Sequence, residues 1–170
     1  MRWFLVIVSL LLLGSSCEPV DNGRWITPSG EEAYPVALPW AIENSSDIDE
    51  ELYLEAIDWW NDQAGFDVYV DYSPGDIVVE SGYAGSEEVY GLFNGATIAS
   101  GAIVNGTITI SSDILYHEET TFYSLVHEMG HPLGLDDDPR SLDLNSIMSS
   151  PLLVGGELTD HDQAIVESFQ

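Results

Sequence analysis

The sequence contains no lysine and only three arginines, Arg2, Arg24 and Arg140, against 30 aspartates and glutamates, for a formal charge of −27. Phosphate recognition needs clustered Lys and Arg, so nucleic-acid binding is excluded as a function class. Such an acid excess disfavours acidic substrates and suits a saline or calcium-containing medium. Cysteine is almost missing too: Cys17 stands alone, which rules out an intrachain disulfide. Internal repeats are absent. The long apolar run is confined to the N-terminus, where Trp3 to Leu13 follow the basic Arg2 and precede small residues. That is the layout of a secretory signal, and it is too short to cross a bilayer as a mature helix.

What remains is ample for one folded domain, with 170 residues, 45% of them hydrophobic and 11% aromatic. The expected organisation is a signal over 1–16, a polar Gly- and Pro-containing tether over 17–35, and a single domain over 36–170. Within the domain, Ser46 or Asp47 is expected to cap a helix that buries Leu52, Ala56 and Trp60 on one face and Tyr53, Ile57 and Ala64 on the next, with Gly65 as its stop. Phe66 to Tyr72 and Asp76 to Glu80 read as strands, and the glycine-rich stretch from Gly82 to Gly95 as loop. Asn105-Gly106 is the favoured pair for a tight hairpin, predicting two antiparallel strands over Ile98–Val104 and Thr107–Ser111. Thr159 is expected to cap a closing helix through Ile165 and Phe169.

The stretch from Val126 to Asp138, V-H-E-M-G-H-P-L-G-L-D-D-D, carries the chemistry. His127 and His131 lie four residues apart and project from one face of a helix, where two imidazoles can reach one metal ion. Glu128 is offset by about 100° from His127, which aims its carboxylate at a water on the ion and not at the ion itself. A catalytic zinc site needs a third protein ligand. Gly134 allows the chain to turn back, and Asp137 follows three residues later; Asp136 and Asp138 are the alternatives if the turn is tighter or looser. His117 and His161 are rival ligands, each most simply read as exposed. A carboxylate in place of a third imidazole lowers the charge of the site, which predicts a pH optimum at or above neutrality. The helix is expected to begin near Thr120 or Thr121, to bury Phe122, Leu125, Val126 and Met129, and to kink at Pro132, which cannot donate to the Glu128 carbonyl.

The segment His127-Glu128-x-x-His131-x-x-Gly134-x-x-Asp137 resembles the metzincin zinc signature, in the aspartate form of small secreted bacterial members of the snapalysin type. Ser146-Ile147-Met148-Ser149-Ser150-Pro151 is similar to the Met-turn beneath the metal in that superfamily, and Ala56 to Asn61 looks like the first helix of matrixin-type domains. The resemblance implies an α+β fold: a twisted, mostly parallel sheet with an antiparallel edge strand at the substrate cleft, a zinc helix, the Met-turn at Met148 and a C-terminal helix. It also implies a zinc endopeptidase acting on protein or peptide substrates, with His127, His131 and Asp137 on Zn2+ and Glu128 as general base. The cleft-bordering role falls, on this reading, to the Asn105-Gly106 hairpin. Calcium is the alternative ligand of the acid run and a second candidate cofactor. The residues before Cys17 resemble a bacterial lipoprotein signal, implying an acylated cysteine and membrane attachment of an otherwise monomeric, exported protein, extracellular or in the cell envelope. The competing function class is a catalytically inactive, metal-bearing binding lipoprotein on the same fold.

Overall fold

The computed structural model describes residues 30–85, 89–137, 146–149 and 156–170. The expected signal, Cys17 and most of the tether lie outside them, as do Asp138, Ser150 and Pro151. Chain order is β1 (Tyr34–Pro35), β2 (Trp40–Asn44), α1 (Glu50–Ala64), β3 (Tyr69–Asp71), β4 (Ile77–Gly82), β5 (Gly91–Thr97), β6 (Ala102–Ser111), α2 (Glu118–Gly130), a 3₁₀ turn (His131–Leu133) and α3 (Asp160–Glu167). Among the described residues no helix is long and apolar enough to cross a membrane.

The fold is α+β with a mostly parallel sheet. β6 pairs in parallel with β4 and, at its start, with β1; β4 pairs with β2 and β2 with β3, all parallel. Among the described strands only β5 runs antiparallel, and its partner is β6. Branched residues of the parallel strands, among them Ile42, Ile77, Val79, Ile108 and Ile110, face Tyr53, Ile57 and Trp60 of α1 and Leu125, Val126 and Met129 of α2 in one core. Each such side chain contributes roughly 1.5–3 kcal/mol on burial.

Helix α1 has the expected buried faces and ends at Gly65, whose φ of 73° is the left-handed conformation that glycine adopts without strain. Its cap differs from expectation. Asp49 accepts from the Glu51 amide, whereas Ser46 Oγ accepts from Ile48 N and Asp47 Oδ2 accepts from Ser81 Oγ, so both expected caps are engaged elsewhere. β3 is shorter than Phe66–Tyr72 because Asn61 Oδ1 accepts from the amides of both Val68 and Tyr69 and pins the chain as it enters the strand. α3 begins at Thr159 with a reciprocal capping box to Asp162, as the sequence suggests, and stops before Phe169.

The hairpin is the main correction. Asn105 and Gly106 lie inside the continuous strand β6, opposite Ala96 and Gly95, and the stretch read as loop contains Gly91 to Gly95 of β5. The reversal is made instead by Ile98 to Gly101, closed by Gly101 N donating to Ile98 O and Ile98 N donating to Ala102 O, with Gly101 at φ 89°. Gly106 is glycine for space: its φ is not left-handed, but a Cβ there would lie 2.8 Å from Cζ of Phe93. A turn signal was in fact a clearance under an aromatic ring.

Candidate metal centre

Helix α2 starts two residues earlier than expected, after His117, and buries Leu125, Val126 and Met129, with Phe122 partly buried. Pro132 does not break it abruptly. The α-helix ends at Gly130 and passes into the 3₁₀ turn, where the His131 amide donates to the Glu128 carbonyl that Pro132 cannot serve. Gly134 then caps the turn at φ 84°, and its amide donates to His131 O. The chain turns there against Ala33, whose carbonyl oxygen a Cβ on Gly134 would approach to 2.6 Å.

This bend brings Asp137 back to the histidines. Donor atoms of His127, His131 and Asp137 all lie within 4.8 Å of one another. Asp137 Oδ1 is 2.9 Å from His127 Nε2 and 3.9 Å from His131 Nε2. Metal–ligand bonds of about 2.0–2.1 Å in a tetrahedral arrangement put ligand atoms roughly 3.3 Å apart, a spacing these separations bracket. The other nitrogen of each ring is occupied by backbone: His127 Nδ1 lies 2.7 Å from Ile147 O, and His131 Nδ1 lies 2.9 Å from Leu135 O. With protons on Nδ1 donated to those carbonyls, each Nε2 faces the carboxylate, where either a further proton on His127 Nε2 is donated to Asp137 Oδ1 or a cation takes that proton's place. Three acceptors facing one point require a proton or a cation between them, so the residues present fit a divalent ion.

Of the alternatives, Asp136 accepts from the Asp137 amide through Oδ1, while Asp138 lies outside the described residues. His117 and His161 are exposed and stand apart from the group. Met148 is fully buried against the end of α2, close to where a Cβ of Gly130 would be, and its turn supplies the Ile147 carbonyl that holds His127.

Glu128 is buried, with Oε2 at 3.7 Å from His131 Nε2. Burial pushes its carboxyl up to about 7, against the pull of His127; the Asp137 charge adds to the rise and a hydrogen bond from the Phe93 amide opposes it. Burial also lowers His131, to about 4, helped by the neighbouring His127. For His127 burial acts downward as well, but the Asp137 hydrogen bond, the Glu128 charge and the Ile147 carbonyl together hold it above the ordinary histidine value. Asp137 is held below the usual carboxylate range, chiefly by its hydrogen bond with His127.

β5 forms the opposite wall. Tyr90 O accepts from Ser111 N on β6, and in an antiparallel ladder alternate residues turn their main-chain groups away from the partner. Gly91 and Phe93 therefore present N–H and C=O on the outer edge, and the Phe93 amide reaches Glu128. The Phe93 ring stacks on His131, centroids 6.3 Å apart at 20°. Sequence reasoning missed β5, the Ile147 and Leu135 carbonyls, and three aromatic donors that hold the end of α2: Trp60 Nε1 donates to Val126 O, Tyr69 OH to Met129 O and Trp40 Nε1 to Pro132 O. For the aromatics, only their number offered a signal. No protein-family model matches the sequence, and no curated protein matches it.

Proposed function

We propose that the chain is an exported zinc-dependent endopeptidase on the metzincin plan. The observation that carries this reading is the convergence of His127, His131 and Asp137 at one point with the carboxylate of Glu128 beside it. Two imidazoles and a carboxylate are a donor set that zinc accepts while keeping a position for water. Zinc held there supplies an acidified water and polarisation of a carbonyl oxygen.

The chain's own residues do the rest. Glu128, shielded from solvent beside the metal donors, takes a proton from the attacking water and returns it to the leaving amine. The outer edge of β5, apart from the Phe93 amide that serves Glu128, offers main-chain groups to an extended peptide, which fixes backbone direction without choosing side chains. That role passes to β5 from the Asn105-Gly106 hairpin, which does not form. A closed structural zinc site would fill its fourth position with another protein ligand and would have no use for a base. Met148 serves this scheme as packing beneath the helix, not as a ligand.

Export through the N-terminal signal, acylation of Cys17 with attachment to a membrane, and action as a monomer belong to the same proposal and rest on the sequence alone, as does any role for calcium. The test is cleavage of casein or a mixed peptide library by the zinc-loaded protein and by Glu128→Ala. Loss of about 10²–10⁴-fold in the variant is expected for removal of a general base. Equal inactivity of both proteins would favour the binding lipoprotein.

A further inference from the structure

Three glycines around the site share an unusual property. Gly91, Gly106 and Gly130 all have φ outside the left-handed region, so backbone conformation does not call for glycine at any of them. Each instead lies where a Cβ would collide with a group that fixes the site: Gly130 against Met148, Gly106 against the Phe93 ring that stacks on His131, and Gly91 against Glu128. Gly91 touches the reacting machinery most directly. A Cβ on it would lie 2.5 Å from Glu128 Cγ, 2.9 Å from Cδ and 2.7 Å from Oε1. These are the middle and end of a side chain that is only 6% exposed, and because Cγ is not its free end, adding a Cβ obliges the whole side chain to shift.

We infer that Gly91 is a positioning residue for Glu128: by having no side chain, it lets the edge strand close over the carboxylate and fix its place beside the metal donors. The inference rests on the peptidase reading for its catalytic meaning, though the contact itself does not. β5 then has two functions from one surface. Its Phe93 amide hydrogen-bonds the carboxylate, while the bare Cα of Gly91 lies over the side chain leading to it. The three atoms nearest to a Gly91 Cβ all belong to Glu128, not to a metal donor.

The consequence is a separation of metal binding from turnover. In Gly91→Ala the Cβ forces Glu128 from its place, and a displacement of about 1 Å is enough to cost on the order of 100-fold in rate. Expected is that fall in kcat with zinc affinity, read by chelator competition, changed by no more than about 2-fold. Gly91→Ala is also expected to lower Tm in the otherwise native chain by several degrees. In a Glu128→Ala background it should raise Tm, because the space is then empty and alanine restricts the unfolded chain more than glycine does. Native kcat in Gly91→Ala, a parallel loss of zinc affinity, or the same Tm change in both backgrounds would each overturn the inference. If the unaltered protein cleaves no peptide, the peptidase reading fails instead, and the sign of the Tm change still decides whether Gly91 shapes the seat of Glu128.

Discussion

Met148 packs directly on Gly130, the last residue of α2, so closely that a Cβ on the glycine would lie 2.8 Å from the methionine Cε. The contact fixes the turn at 146–149 against the helix, and that turn delivers the Ile147 carbonyl to His127 Nδ1. Gly130→Ala is therefore expected to cost about 1–3 kcal/mol through overpacking. Because it moves the partner of a ligand histidine, it should also weaken zinc binding by roughly 10–100-fold. Met148→Leu, which keeps volume, should cost less than about 1.5 kcal/mol. Denaturant midpoints and chelator competition measure both, and zinc affinity unchanged in Gly130→Ala would contradict the link.

The aromatic donors at the end of α2 predict a different outcome. The last turn of a helix leaves carbonyls without intrahelical donors, and the Tyr69 hydroxyl, deep in the core, donates to Met129 O. Burial also raises the Tyr69 phenol well above its ordinary value, so it stays a donor throughout the working range. Tyr69→Phe should destabilise the fold by about 1–3 kcal/mol, the cost of stranding a buried acceptor. His127 and Glu128 project elsewhere from the helix, so kcat in the folded fraction should stay within about 2-fold. A large loss of kcat at temperatures well below unfolding would show that this tether shapes the site itself.

Two buried groups of opposite sign give the metal-free protein a distinctive pH response. Glu128 is pushed from 4.5 up to about 7 by burial, so the folded state holds a proton that the unfolded chain releases. Its contribution to stability is full below about pH 4.5 and is lost as pH rises through about 7. His131 is pulled from 6.5 down to about 4, again by burial first, so its contribution is present above about pH 6.5 and is lost as pH falls through about 4. Glu128→Gln should thus stabilise the chelator-treated protein near pH ~8 by on the order of 1–3 kcal/mol, with little effect near pH ~4. Denaturant melts at the two pH values check the sign, and a gain confined to acid would reverse it.

These relationships mark how far the sequence could be read. Helix α2, the faces of α1, the stops at Gly65 and Gly134 and the cap at Thr159 are local, set by periodicity and by residues that satisfy a helix end, and they were legible. The donor triad was legible because its three members sit within eleven residues of one another, joined by a glycine bend. β5 was not. Gly91 and Gly95 look like loop residues, and Asn105-Gly106 looks like a hairpin turn, because sequence patterns take glycine to signal conformation. Here Gly91 and Gly106 mark close approach to Glu128 and Phe93, partners 37 and 13 positions away that only the fold brings near. The Ile147 and Leu135 carbonyls were illegible for a related reason, since every residue carries one and nothing in a side chain announces which will be used.

The claim on which the rest depends is that one ion is held by His127, His131 and Asp137. Zinc titration of the purified chain, with Asp137→Ala beside it, tests this most directly. The account predicts one tightly bound zinc per chain, and a loss of affinity in Asp137→Ala greater than the roughly 10–100-fold that removing a supporting partner costs. Equal zinc affinity in the two proteins, or no zinc bound by either, would contradict it.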